Sequence, residues 1–215
     1  GLNDGNEHHE AFNPAAGKWK ALDPLPEKLD HVPSVVVGTK VYYIGGLRWW
    51  PDGHSSTVYI YDTESESFEV GPPMPADRAR GGGGLALHDG YIYYAGGIHD
   101  GVAVRWFDRF DTTGNTWEQL ADMPRNRDHF HAAVVNGIFY AIGGRDFDID
   151  NPFAYVDAYD LAAKEWNTLE TALPTPPGGF ATAVVDDFII TIGGESTRAH
   201  AEVEAYDTHS GEWLR

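Results

Sequence analysis

Short apolar runs separated by turn residues recur along the whole chain. In the clearest copy an alternating apolar run from 130 to 135 is followed by Asn136-Gly137, a second apolar run and the glycine pair Gly143-Gly144. Two such runs separated by two residues that tolerate positive φ predict a β-hairpin. The glycine pair has no Cβ atoms, so it predicts a sharp change of direction where two backbones approach closely.

The same arrangement occurs four times. The glycine pairs begin at positions 45, 96, 143 and 193, which gives spacings of 51, 47 and 50 residues. Each copy continues with an aromatic residue followed by Asp and, seven positions after that aromatic residue, with Phe68, Trp117, Trp166 or Trp213. Each copy therefore predicts four short strands. Because one four-stranded sheet cannot bury both faces, neighbouring copies are expected to stack.

This repeat resembles that of the kelch β-propellers. Its marks are the glycine doublets, the Tyr-Asp followed by Trp, the Met-Pro pairs at 74–75 and 123–124, and Arg80 and Arg127 before the first strand. The resemblance implies an all-β, kelch-type β-propeller forming one domain over 1–215. It has a half blade at 6–22, where Phe12-Asn13 and Trp19 repeat the second half of the pattern, and four complete four-stranded blades at about 29–71, 80–120, 127–170 and 177–215. Kelch rings usually contain more blades, so the ring is expected to be incomplete or completed by another segment or a second chain.

Charge and composition exclude several classes of function. With 33 acidic and 15 basic residues the net charge is −18, and we expect no nucleic-acid partner, because binding phosphates requires Lys and Arg. No apolar run approaches the roughly 20 residues of a membrane-spanning helix, and no membrane partner is expected. The absence of cysteine excludes disulfides and thiol nucleophiles. It leaves the compartment open, with a secreted or extracellular location slightly favoured over the cytoplasm.

Most arginines fall on one side of the predicted disk. Eight of the ten lie in the links from strand two to strand three, or from a fourth strand to the next first strand; we call this side the loop face. Loops on a rigid scaffold commonly carry function. Guanidinium groups pair with carboxylates and aromatic rings anchor ligands, so we expect a protein segment or a carbohydrate here, with an acidic one favoured. The candidate ligand-binding residues are Arg48, Trp49, Trp50, His99, Arg105, Arg127, Asp128, His129, His131, Arg145 and Arg198. For Arg80 and Arg127 a structural role, bracing the neighbouring blade, is the other interpretation.

Two imidazoles and a carboxylate come together in Asp128, His129 and His131. Residues two apart in a strand share a face, so this group is a possible metal set. Rim histidines that hydrogen-bond to backbone are the commoner outcome, and we predict neither a metal site nor a cofactor. The chain lacks a Gly-x-Ser-x-Gly elbow, the cysteine that the kelch copper oxidases need, and the Glu-x-x-x-Asp-x-x-x-His motif of iron-dependent specifier proteins.

The first hypothesis is therefore a non-catalytic binding module, with no catalytic residue predicted. The alternative is a small-molecule enzyme of the sugar mutarotase or epimerase type, in which a rim histidine or Glu195 moves a proton. A third hypothesis is an assembly subunit joined through its half blade, whose unpaired strand edge favours association.

Overall fold

The computed structural model describes residues 8–49 and 53–215. Within this part of the chain the strands are joined by turns and loops, the one helical element is a turn of 3-10 helix at Ala76–Arg78, and no helix is long and apolar enough to cross a membrane. Four antiparallel four-stranded sheets, here called blades one to four, follow one another along the chain. The kelch-type propeller with four complete blades and an amino-terminal half blade is confirmed.

The strands have the following bounds. Blade one contains β3 (Ser34–Val37), β4 (Lys40–Ile44), β5 (Val58–Asp62) and β6 (Ser67–Gly71); blade two contains β7 (Gly84–His88), β8 (Tyr91–Ala95), β11 (Phe107–Asp111) and β12 (Thr116–Gln119). Blade three contains β13 (His131–Val135), β14 (Ile138–Ile142), β15 (Val156–Asp160) and β16 (Glu165–Thr168); blade four contains β17 (Ala181–Val185), β18 (Phe188–Ile192), β19 (Val203–Asp207) and β20 (Glu212–Leu214). The half blade pairs β1 (Glu10–Asn13) with β2 (Lys18–Ala21). A hairpin that the sequence pattern did not predict, β9 (Ile98–His99) with β10 (Val102–Ala103), lies in the link between β8 and β11.

In each blade the first two strands form a hairpin, and these hairpins turn at the residue pairs that the sequence pattern predicts. Between β7 and β8, Asp89 and Gly90 have φ of 47° and 79°, and between β13 and β14, Asn136 and Gly137 have φ of 51° and 76°. Two successive positive φ angles are those of a type I′ turn, whose twist matches that of the flanking strands. The two-residue turns thus set the register in which each first strand pairs with the second.

The aromatic-Asp motif closes each outer hairpin. The carboxylate of Asp111 accepts hydrogen bonds from the backbone N–H groups of Thr113 and Gly114, both at 2.8 Å, and these bonds lower the pKa of Asp111. Across the strands, Tyr159 lies opposite Trp166 with 5.1 Å between ring centroids. The indole N–H of Trp166 also donates to the carbonyl of Ala121, in the link that leaves blade two, at 2.7 Å. The motif therefore shapes one blade and attaches it to the preceding one.

The glycine pairs are contact points between blades. Gly96 has φ of 59°, and a Cβ at this position would lie 2.4 Å from the carbonyl oxygen of Arg127. Gly97 donates its N–H to that same oxygen at 2.8 Å. Because a side chain would occupy the space of the neighbouring backbone, only glycine allows blades two and three to approach this closely.

Blade four exposes a face that the preceding blade buries. Val135 and Ile142 of blade three lie in an apolar cluster with Phe180 of blade four. The equivalent residues of blade four, Val185 and Ile192, are 53% and 44% exposed. This outer face thus has the composition of an interface between blades.

Candidate functional site

Equivalent residues of the four blades form a hydrogen-bonded row of backbone on the loop face. Two residues after the position of the kelch arginine stand His31, Gly82, His129 and Gly179, all with positive φ. Successive members are joined by hydrogen bonds: Gly82 N–H to the His31 carbonyl at 2.7 Å, His129 N–H to the Gly82 carbonyl at 2.9 Å, and Gly179 N–H to the His129 carbonyl at 2.8 Å. This row holds His31 and His129 in a left-handed conformation that is uncommon outside glycine.

The rings of the two histidines meet beside Gly82. The nearest side-chain atom to a Cβ built on Gly82 belongs to His31, at 3.5 Å, so the His31 ring passes over the place where blade two carries no side chain. The Nε2 atoms of His31 and His129 are 2.9 Å apart, although the two residues are 98 positions apart in sequence. Each Nδ1 bonds to the carboxylate of the preceding residue, Asp30 at 2.6 Å and Asp128 at a short distance.

The hydrogen bonds of the two histidines define the charge of this pair. An ionised carboxylate only accepts, so each Nδ1 is a donor, and one Nε2 must donate to the other. The two rings then share three protons and carry one positive charge between two carboxylates. Burial lowers the pKa of His31 against the opposing hydrogen bond to Asp30, and the neighbouring His129 lowers it further. A second positive charge on the pair is therefore disfavoured.

Arg145 connects this pair to Glu195. Its side chain is buried, with Nη1 3.2 Å from Oε1 of Glu195 and Nε 3.7 Å from Oδ1 of Asp128. The other oxygen of Asp128 accepts the backbone N–H of Phe147 at 2.6 Å. Burial and the charge of Asp128 raise the pKa of Asp146. The site thus holds more negative than positive groups, even with one positive charge on the histidine pair.

A cavity of about 690 Å³ opens at this cluster, and its lining combines apolar with charged groups: His31, His129, Arg145, Ile149, Gly179, Gly194, Glu195 and Ala199. A second cavity of about 300 Å³ shares His31, His129 and Gly179 with it and adds His131. His129 and His131 therefore line one cavity. The ring of His131 packs against that of Phe180, with 5.5 Å between the ring centroids.

The two kelch arginines are structural. Arg127 is fully buried and bonds to the carbonyls of Gly143 and Tyr155 and to the carboxylate of Asp157. Arg80 repeats this in blade two, with Nη2 2.7 Å from Asp108. Arg127 is thus inaccessible to a ligand and braces its own blade, which favours the structural interpretation over a binding role.

The remaining candidate arginines are also paired. Arg48 donates to Glu27 at 2.5 Å and to the His54 carbonyl at 3.0 Å. Arg105 and Arg198 are the most exposed of the candidate arginines, and each has a carboxylate 3.7 Å away. Each candidate arginine thus lies near a carboxylate of this chain, and the arginines alone give little support to an acidic ligand.

The other candidates lie near blades one and two. Trp49 is half exposed, and its ring occupies the space beside Gly53. His99 stacks on His54 with 4.1 Å between ring centroids. Trp50 lies outside the described residues. The structure thus brings Asp128, His129, His131 and Arg145 together, whereas His99 belongs to a separate group.

The sequence analysis did not identify the two carboxylates that pair with Arg80 and Arg127, although the repeats contain a signal for them. Asp108 and Asp157 stand three residues before the turn aspartates of their blades. The two blades with a kelch arginine carry Asp at this position, and the two without it carry Tyr59 and Glu204. Comparing the repeats with one another would have paired each arginine with its aspartate.

Comparison with known proteins agrees with this architecture. The profile of the KLHDC2/KLHL20/DRC7 Kelch-repeats domain matches residues 34–215. The chain is 30% identical to Kelch-like protein terF of Aspergillus terreus over 95% of this chain and 48% of that protein. It is 29% identical to Kelch-like protein 38 of Rattus norvegicus, over 93% of this chain and 33% of that protein, and 26% identical to Kelch-like protein 23 of Homo sapiens, over 94% and 35%. The chain thus spans between a third and a half of the length of these relatives. The repeat pattern, the four blades and the family match agree, and the chain belongs to the kelch-repeat family.

Proposed function

We propose that this kelch module binds a peptide segment of a partner protein at the cavity on its loop face. Kelch-repeat modules typically bind proteins. The observation that carries the proposal is the mixed lining of the 690 Å³ cavity, where Ile149 and Ala199 stand beside the charged Arg145 and Glu195. A peptide presents both kinds of group, an apolar side chain for the wall and backbone amides for the charged residues.

The link that supplies Ile149 to the cavity carries further exposed apolar residues. Phe147 and Ile149, in the link between β14 and β15, are 39% and 40% exposed, and Tyr155 at the end of that link is 51% exposed. Large apolar side chains beside a polar cavity are common anchors in protein interfaces. We favour a neutral or basic segment over the acidic one that the arginine count suggests, because the arginines are paired and the chain carries a net charge of −18.

Selecting peptides from a random 12-residue display library against the whole chain tests the proposal. Ala199→Trp would fill the cavity from its exposed edge, and we expect the selected peptides to bind this variant at least about tenfold more weakly, as measured by fluorescence polarisation. The matched control is Ala163→Trp, in the exposed turn between β15 and β16 on the opposite side of the disk. Failure to enrich any peptide, or equal weakening by both variants, would contradict a peptide site at this cavity.

A sugar mutarotase or epimerase is the second candidate, favoured by the Asp30-His31 and Asp128-His129 array, whose rings meet in the cavity. Such an enzyme needs groups that give and take a proton near the anomeric carbon. On this hypothesis the chain accelerates exchange between the two anomers of a reducing sugar such as N-acetylneuraminic acid, followed by proton NMR, and His129→Asn abolishes the acceleration. His88→Asn, outside the cavity, is the control. A panel of sugars without acceleration would rule this candidate out and leave peptide binding.

A further inference from the structure

A second group of potential ligands lies on the loop face, away from the cavity. The unpredicted hairpin of β9 and β10 turns at Asp100-Gly101, with φ of 47° and 73°. It places His99 and Asp100 beside His54 of blade one, which an isolated β-bridge to Leu47 holds in place. The three residues thus come from two blades, and the proposed peptide site does not use them.

The ligand atoms of these residues converge. One nitrogen of His54, one of His99 and one carboxylate oxygen of Asp100 all lie within 4.8 Å of one another. Nδ1 of His54 is 3.1 Å from one oxygen of Asp100, and Nε2 of His99 is 3.5 Å from the other. Tetrahedral zinc, with bonds of about 2.0–2.2 Å, holds its ligand atoms about 3.3 Å apart. The two nitrogen–oxygen distances, 3.1 Å and 3.5 Å, lie on either side of this value.

The hydrogen bonds leave the required nitrogens available. Nδ1 of His99 donates to the carbonyl of Ala79 at 2.7 Å, which leaves Nε2 with its lone pair in the neutral ring. Nδ1 of His54 is buried and makes no hydrogen bond within the described residues. Its polar neighbour is the Asp100 oxygen at 3.1 Å, itself a prospective ligand, so a metal ion would take the place of this contact rather than of a bond to another part of the chain.

The orientation of the rings sets the movement that binding requires. The two imidazole planes stack at 28°, so their in-plane lone pairs run nearly parallel. A rotation of His54 about its side-chain torsions turns Nδ1 towards Nε2 of His99. The Asp100 side chain is 72% exposed, so its carboxylate is free to move with the His54 ring. This exposure also leaves a fourth coordination position open to solvent.

We propose that His54, His99 and Asp100 bind one divalent transition-metal ion of the zinc class. Two neutral imidazoles and one carboxylate are a donor set that zinc accepts, with the fourth position open. The ion would join the loop-face link of blade one to the hairpin of blade two. The strongly negative net charge of the chain favours its approach.

Titration of the metal-stripped chain with ZnCl₂ tests this inference without any peptide or sugar. We expect one zinc ion per chain in native mass spectrometry. Asp100→Asn and His54→Phe should each weaken binding at least about tenfold in calorimetry. Cobalt(II) in place of zinc should give the intense visible bands of a four-coordinate site, and these bands should be lost in His54→Phe.

The chain offers a matched control. His88-Asp89-Gly90 forms a turn with the same residue types and the same φ of 47° at its aspartate as His99-Asp100-Gly101, and it lies on the opposite side of the disk. Asp89→Asn should therefore bind zinc like the unaltered chain, with far-UV circular dichroism confirming that all variants are folded. Absence of stoichiometric zinc, or binding that Asp100→Asn leaves unchanged or that Asp89→Asn weakens equally, would overturn the proposal.

Discussion

Asp157→Ala is expected to lower the free energy of unfolding by roughly 3–5 kcal/mol, because removing one partner of a buried ion pair leaves the other charge uncompensated. Asp157 is fully buried and accepts bonds from Arg125 and Arg127 and from the hydroxyl of Thr168. Without it, the buried guanidinium of Arg127 has no carboxylate partner among the described residues and keeps hydrogen bonds to the backbone carbonyls of Gly143 and Tyr155. Urea unfolding followed by tryptophan fluorescence measures the loss.

Two further variants separate charge from packing in this experiment. Asp157→Asn keeps the shape of the side chain and removes its charge, so a loss close to that of Asp157→Ala would identify the charge as the cause. Glu165→Ala removes an exposed carboxylate from the neighbouring strand β16 and should change stability by no more than about 0.5 kcal/mol. If Asp157→Ala costs as little as Glu165→Ala, the pair does not brace the blade.

Gly96→Ala is expected to cost about 2–5 kcal/mol, the sum of a left-handed backbone conformation and a steric clash. The added Cβ would lie 2.4 Å from the Arg127 carbonyl oxygen and 2.7 Å from the ring of Phe130. Neither the backbone of blade three nor a buried ring can move away cheaply, since both belong to the packed interface between blades. The same unfolding measurement applies.

Gly137→Ala provides the control for the conformational part. Gly137 has φ of 76°, and a Cβ built there meets nothing within 4 Å, so its substitution should cost only about 1–2 kcal/mol. The difference between the two variants measures the clash alone. Equal losses would show that blades two and three can separate at this point and that the glycine pair serves the turn rather than the interface.

Much of the fold was predictable because it is encoded locally and repeated. Turn pairs such as Asn136-Gly137 set hairpin register through their own φ angles, and the turn aspartates bind N–H groups two and three residues away. The pairing of Tyr159 with Trp166 requires only that short turn. Each of these features spans fewer than ten residues, and their fourfold recurrence confirms the pattern in a single sequence.

The candidate site was predictable only in part. The sequence placed Asp128, His129 and Arg145 on one side of the disk, because the alternation of turns and links assigns each segment to a side. It did not indicate that most arginines there are already paired. Arg127 and Asp157 are 30 residues apart, and an arginine before a strand has the same local signature whether it faces a ligand or a buried carboxylate.

The sequence by itself determined the repeat, the four strands of each blade, the turns within the blades and the side of the disk on which each link lies, since all of these follow from short-range geometry. Only the tertiary structure decided which links meet. His31 reaches His129 because blade two, which lies between their blades, brings the two links together beside Gly82. His54 meets His99 and Asp100 because two neighbouring blades present their links side by side. Such contacts depend on the angle and spacing between blades, which no run of neighbouring residues specifies.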